Sequence, residues 1–220
     1  MAVWEELRTV LARLASERPA DLIQYPAPEA DEGRQPPFTI TLAPSAVATA
    51  EELHRQFGGD VELTVGALPY PPGRQPPRSP APAQLPELLD ERDIVADLDG
   101  RAVVRSGQAL RHGLLLLNRT DRELQLSTNG QVTATVVDPQ DESIVGGFAG
   151  FQAAPLVTFR VAPGQTGRVP LLIATASFVP RLGYAVPPGE WGVRAVLILG
   201  PDPQSAPRRR TPVLPLTITA

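Results

Sequence analysis

The sequence predicts an α+β protein, a small αβαβ layer followed by a C-terminal antiparallel β-sandwich of immunoglobulin-like type that begins near Asp93. Three observations predict it. Short apolar–polar alternations recur through the second half, about 8–12 residues apart, and are punctuated by Asp99-Gly100, Asn129-Gly130, Pro163-Gly164 and Pro187-Pro188-Gly189. Both helix-period stripes lie before Asp60. Of the 26 prolines among 220 residues, Pro69, Pro71, Pro72, Pro76, Pro77, Pro80, Pro82 and Pro86 fall in one stretch. The chain therefore divides into an N-terminal unit over residues 1–68, a proline-rich connector over 69–90, and the sandwich over 91–220.

In residues 3–17, Val3, Leu7, Val10, Leu11 and Leu14 recur at helical spacing, with Glu5, Glu6, Arg8 and Arg13 opposite. Pro19 ends this helix by disfavouring helical geometry at Arg18. Both signs of charge on its polar face point to docking on its own domain, not to a membrane surface. Residues 24–37 read as a loop. Phe38 to Leu42 alternates as a strand. Ser45 is placed to cap a helix with Ala46, Ala50, Leu53 and Phe57 on one face, and Gly58-Gly59 stops it. Val61 to Val65 alternates again, which makes a βαβ unit with parallel strands.

The eight prolines of 69–86 forbid a helix and a central strand, and favour a polyproline II spacer laid over the surface. Leu85 to Leu89 reads as a short helical turn. Val95–Leu98 and Arg101–Val104 then flank Asp99-Gly100, and Leu124–Leu126 and Val132–Val136 flank Asn129-Gly130. Both pairs read as hairpins on tight turns that need positive φ angles. His112 to Asn118, apolar on both faces, reads as a central strand. Leu156–Ala162, Val169–Ala174, Trp191–Leu199 and Thr211–Thr219 complete the set. Pro170, Pro212 and Pro215 cannot donate ladder hydrogen bonds, which places their strands at edges or bulges.

Composition narrows function mostly by exclusion. A net charge of −4 gives no basic field for nucleic acid or anionic lipid. All basic residues are arginine, a bias expected of a high-GC bacterial chain. Without cysteine there are no disulfides, thiolate metal sites or cysteine nucleophiles. Glu5, Glu6 and Arg8 interrupt any leader-like apolar run, so the expected location is cytoplasmic. His54 and His112 are too far apart in sequence for a metal pair, and no G-x-S-x-G turn presents a serine. Asp93, Asp97 and Asp99 resemble a calcium loop in composition only. Asp138, Asp141 and Glu142 read as a solvated turn tip, and Arg208-Arg209-Arg210 as a solvated turn. No catalytic, cofactor-binding or metal-ligating residue is assigned, and no cofactor is expected.

What remains is binding surface. Residues 146–155 combine flexible glycines with Phe148 and Phe151. Residues 178–189 hold Phe178, Leu182, Tyr184 and Val186 among prolines and Gly183. Large apolar side chains on irregular segments either plug the end of a sandwich or meet a partner. Phe148, Phe151, Phe178, Leu182 and Tyr184 are the candidate partner-binding residues.

One resemblance bears on this reading. Leu114-Leu-Leu-Leu-Asn118-Arg-Thr120, Leu124-Gln-Leu-Ser-Thr128, Val136-Val-Asp138, Val161-Ala-Pro-Gly164 and Pro187-Pro-Gly-Glu-Trp191 together resemble the bacterial intracellular proteinase inhibitor family. The resemblance spans residues 112–195 and implies an immunoglobulin-like fold. It does not reach residues 1–90. The expected function is a non-catalytic protein-interaction or assembly module with a protein partner, protease-inhibitor-like binding being one form of it. A sandwich binding carbohydrate or another small ligand is the alternative, though aromatic rings for sugar stacking are few. An enzyme of unrecognised type is the third reading.

Overall fold

A computed structural model describes residues 2–27, 35–73, 85–150, 152 and 155–220. The described residues are mostly β, with two α-helices. Helix α1 (Ala2–Glu17) leads into strand β1 (Leu22–Gln24). Strand β2 (Phe38–Leu42), helix α2 (Val47–Phe57), β3 (Val61–Val65) and β4 (Leu68–Tyr70) follow. The sheet order is β1-β2-β3-β4, with β2 and β3 parallel, Phe38 beside Val61 and Leu42 beside Val65.

Alternation decides which face is covered. Phe38, Ile40, Leu42, Val61, Leu63 and Val65 are buried beneath both helices. Leu7, Leu11 and Leu14 of α1 and Ala50, Leu53 and Phe57 of α2 close the same core. Each fully buried leucine contributes roughly 1.5–3 kcal/mol. Trp4 stacks on Phe38 with centroids 5.1 Å apart, and Arg13 pairs with Glu52 at 2.6 Å to tie the helices together. Ser45 does not cap α2. The capping position falls on Ala46, without a side-chain bond, while the Ser45 hydroxyl lies 3.5 Å from the Gln108 amide.

The remaining strands share a second, larger sheet. They are β5 (Glu87–Leu88), β6 (Ile94–Leu98), β7 (Ala102–Arg105), β8 (Ala109–Asn118), β9 (Leu124–Thr128) and β10 (Val132–Val137). Then come β11 (Ile144–Gly147), β12 (Val157–Val161), β13 (Thr166–Ala174), β14 (Ala176–Ser177), β15 (Gly189–Leu199), β16 (Arg208–Arg210) and β17 (Leu214–Thr219). The main path runs β12-β9-β15-β10-β13-β8-β6. Strand β15 is the hub. Its first half pairs with β10 and β17, and its second half with β9 and β16. Inward residues such as Leu114, Leu116, Leu171, Ile173, Leu197 and Leu216 gather in one core.

Several local expectations are corrected. Neither dipeptide turn closes a hairpin. Strand β6 pairs with β8 and β7 with β17, so Gly100, at φ 87°, hands the chain from one set of strands to another. Strands β9 and β10 both pair with β15, which lies between them. The first connector prolines are not all spacer, because Pro69 sits in β4 opposite Thr64. Residues 74–84 of the connector lie outside the described residues. Glu87–Leu88 is a strand beside β16, where a helical turn was expected, and Leu22–Gln24 is a strand that its length of three hid. Pro170 and Pro215 occupy interior strands. Each is tolerated because one neighbour ladder starts only at the next residue, at Leu171 for β10 and Leu216 for β7. Arg208–Arg210 is β16, not a solvated turn.

The two sheets touch where β2 and β3 end. A Cβ on Gly66 would meet Pro44 at 3.1 Å, the Tyr184 carbonyl at 3.2 Å and Ala176 at 3.3 Å. A Cβ on Gly107 would meet Ser45 at 3.3 Å. Those carboxyl-end turns, where open α/β sheets usually bind ligands, are therefore covered by the larger sheet.

Candidate protein-binding furrow

The two segments singled out in the sequence are brought side by side. Strand β11 pairs with β14, Gly146 opposite Ser177 and Gly147 opposite Ala176, and the Phe178 N–H donates to Val145 O at 2.9 Å. Gly146 and Gly147 are buried ladder residues and not the flexible glycines expected. A Cβ at 146 would stand 2.5 Å from both the Ala176 carbonyl oxygen and Val186 Cγ2. At 147 it would meet the Phe178 ring at 3.1 Å.

The candidate residues divide by environment. Phe178 lies over Gly147 and keeps 36% of its surface exposed. Phe148 is half-buried, its ring folded back so that a Cβ on Gly150 would meet it at 2.6 Å. Leu182, in a 3-10 turn over Pro180–Leu182, packs on the core of the larger sheet. Tyr184 packs on the other core, its ring 6.1 Å from Tyr70. Burial raises the Tyr184 pKa, and neighbouring Tyr70 adds to that. The neutral phenol lies 3.5 Å from Pro69 O. Phe151 lies outside the described residues.

Phe148 lines two adjoining cavities. One, of about 200 Å³, is bounded by Ile23, Pro44, Gln108, Ala109 and Thr175. The next, about 450 Å³, is bounded by Ala109, Arg111, Gln131, Gln152 and Leu172. Asn129, Gln131, Gln152 and Pro155 are shared with a third cavity of about 480 Å³, whose apolar walls include Leu156, Val196, Ile198 and Pro203. Together they make one furrow that starts at the junction of the sheets and ends on β9 and β15. Leu156, 59% exposed, and Val196, 42% exposed, stand at its far end.

The waist of the furrow is built from amides. Asn129 Nδ2 donates to Gln152 Oε1 at 2.8 Å, and Gln152 Nε2 donates to Thr133 Oγ1 at 2.5 Å. Gln131 makes no side-chain hydrogen bond among the described residues, and Arg111 is the charged side chain lining the furrow. Such a surface can bury apolar side chains at its ends and hydrogen-bond a main chain at its middle. Sequence reasoning gave Asn129 a turn role only and missed Gln131 and Gln152, since single amides carry no periodic signal.

The residues that could have carried other chemistry are dispersed. His54 lies edge-on to Tyr70 at 5.8 Å, and His112 Nε2 lies 3.4 Å from Gly100 O. Asp99 pairs with Arg168 at 2.5 Å, and Asp97 accepts from the Leu98 N–H. Among the described residues no three His, Asp or Glu side chains converge as a metal site would require. None of the described helices is long and apolar enough to cross a membrane.

No protein-family model matches the chain, and no curated protein matches it. Solved structures offer distant likenesses. One is the CARDB domain of a Pyrococcus furiosus protein, solved with di-metal ions, at 8% identity and TM-score 0.31, over 57% of this chain and 92% of that one. Another is a β-glucosidase from Erythrobacter marinus, at 19% identity and TM-score 0.29, over 57% of this chain and only 15% of the enzyme. A third is the ASH/PapD-like domain of human CEP192, at 8% identity and TM-score 0.27, over 66% of this chain and all of that domain. These scores are low, so what the chain does is derived from its own geometry.

Proposed function

We propose that the chain is a non-catalytic protein-interaction module, an immunoglobulin-like sandwich with a small layer docked on it, αββαββ in chain order and not the αβαβ expected, that holds a partner protein along the furrow. One observation carries the proposal. The half-buried Phe148 stands between two cavities that continue into a third, so an aromatic anchor, amide donors and an apolar floor lie in one line. Aromatic anchors in partly desolvated pockets are what binding hot spots are usually made of. Protease inhibition is one form such binding would take. The amide of Gln131, which has no side-chain hydrogen bond among the described residues and lines the middle cavity with Gln152, favours a second reading, capture of a small polar ligand there.

Alanine variants at Phe148 and Phe178 test it, Phe148 as the ring that lines the furrow and Phe178 as the exposed ring over neighbouring Gly147 that lines none of the three cavities. If the rings are anchors, each variant melts within about 1–2 kcal/mol of the wild type, below the ~3–5 kcal/mol of a buried Phe→Ala. Both would also lose a partner that the intact chain retains in a pull-down read by mass spectrometry. A partner held equally well by both variants, or a full core-sized loss of stability, would overturn the proposal. Calorimetric titration with a glycan panel addresses the second reading.

A further inference from the structure

Away from the furrow, three charged residues form a cluster whose hydrogen bonding is incomplete. Arg194 lies on β15 between the inward Val193 and Ala195, so its side chain leaves the opposite face, yet only 4% of it is exposed. Its Nη2 pairs with Glu142 Oε2 and its Nη1 approaches Glu142 O at 3.5 Å. Arg210, on the adjacent β16, reaches the same carboxylate at 3.7 Å. The Nε atoms of both arginines are buried and have no acceptor among the described residues. Buried donors are almost always satisfied, and leaving one unmade is costly, more so on a charged group.

We propose that Arg194 and Arg210 form a carboxylate site in which Glu142 is a displaceable resident and an acidic side chain of a partner protein is the exchanging ligand. The fit of guanidinium to carboxylate is bidentate, through two parallel N–H donors. Glu142 engages terminal nitrogens and leaves both Nε–H groups idle. One carboxylate also faces two cations. Glu142 is itself poorly anchored as an occupant. Its side chain is 56% exposed, and its backbone sits at φ 58°, a left-handed conformation unfavourable for a residue with a Cβ. An incoming carboxylate that engages an Nε–H edge supplies the missing acceptors and lets the 138–143 turn relax. The plainer alternative is a fixed clasp that only stiffens this turn.

The two differ in what happens when Glu142 is neutralised. The intact chain and E142Q are titrated at constant ionic strength with sodium acetate, an acetylated Glu-containing pentapeptide, and sodium phosphate. Thermal melting and the NMR signals of the arginine Nε–H groups are followed. The site predicts that acetate and the peptide shift the Arg194 and Arg210 signals of E142Q and raise its melting temperature. The intact chain should need at least about tenfold more of either. The R210Q/E142Q variant should lose the response. Equal titrations of E142Q and the intact chain, or a response that survives R210Q, would leave only the clasp. Phosphate binding well above acetate would replace the carboxylate with a phosphoryl ligand and overturn the assignment. Should E142Q not fold, Nε–H signals of the intact chain that stay flat through the acetate series overturn it as well. The furrow shares no lining residue with this cluster, so either proposal can fail alone.

Discussion

In the four-stranded sheet the strands lie side by side in chain order, whereas in the larger sheet β6 and β7, β9 and β10, and β12 and β13 are sequence neighbours that pair with other strands. Both are built from equally clear alternation. What separates them is how the inward faces are covered. Strands β2 and β3 find their cover in α1 and α2, close in sequence, so local pattern and tertiary contact agree. A β-strand without helices must find a second β face, and the nearest one is often many residues away. Turn residues then fix where a strand stops and leave open which strand it joins.

Core truncation gives the largest effect and the sharpest way to break this comparison. Leu53→Ala in α2 and Leu116→Ala in β8 each remove a side chain with no exposed surface, and each should cost about 2–5 kcal/mol. They should differ in kinetics. Contacts local in sequence tend to form early, so L53A should act mainly by slowing refolding and L116A mainly by speeding unfolding. Stopped-flow chevrons read both, and the reverse partition would break the argument that the small layer is locally encoded.

Next in size is crowding at glycine. G146A places a methyl 2.5 Å from a carbonyl oxygen and from Val186, and G66A combines φ 60° with three contacts at 3.1–3.3 Å. Each should lose about 1–3 kcal/mol by chemical denaturation. G66A acts at the seam between the sheets, so it should also weaken hydrogen-exchange protection of the backbone amides there, such as Gly66 N–H on Leu42 O and Ser177 N–H on Tyr184 O. A smaller term, the coupling of the Tyr70 and Tyr184 rings, should be about 0.5–1.5 kcal/mol in a Tyr70→Ala, Tyr184→Ala double-mutant cycle. A coupling near zero would mean that the sheets lie together without that contact stabilising them.

These positions also mark how far the residues alone could be read. The helices, β2, β3, β8, β15 and β17 were legible because their periodicity is long enough to declare itself. Strands of two or three residues, such as β1, β5 and β16, carry no period, and pairing alone makes them strands. The segments around Phe148 and Phe178 were visible as apolar residues on irregular chain, but the ladder that joins them was not. Reading Gly146-Gly147 as flexible fails for a physical reason: glycine also marks close approach, and sequence cannot separate the two uses. Glu142 read as a solvated tip because Arg194 and Arg210 lie more than fifty residues away along the chain.

The smallest expected effect separates those two uses of glycine. Gly100 shares a positive φ with Gly66, at 87°, but a Cβ there would meet nothing within 4 Å. Its requirement is therefore conformational only. G100A should cost about 1 kcal/mol, the penalty for an alanine in left-handed backbone. G100N should cost a few tenths less than G100A, because asparagine tolerates that region better. At Gly66, asparagine should be no better than alanine, since its larger side chain meets Pro44, Ala176 and the Tyr184 carbonyl. Urea melts of the four variants suffice. If asparagine rescues position 66 as well as position 100, the seam is looser than its distances imply. If it rescues neither, the Asp99-Gly100 turn is held by packing and not by dihedral preference alone, and the contrast between the two regions narrows to their strand order.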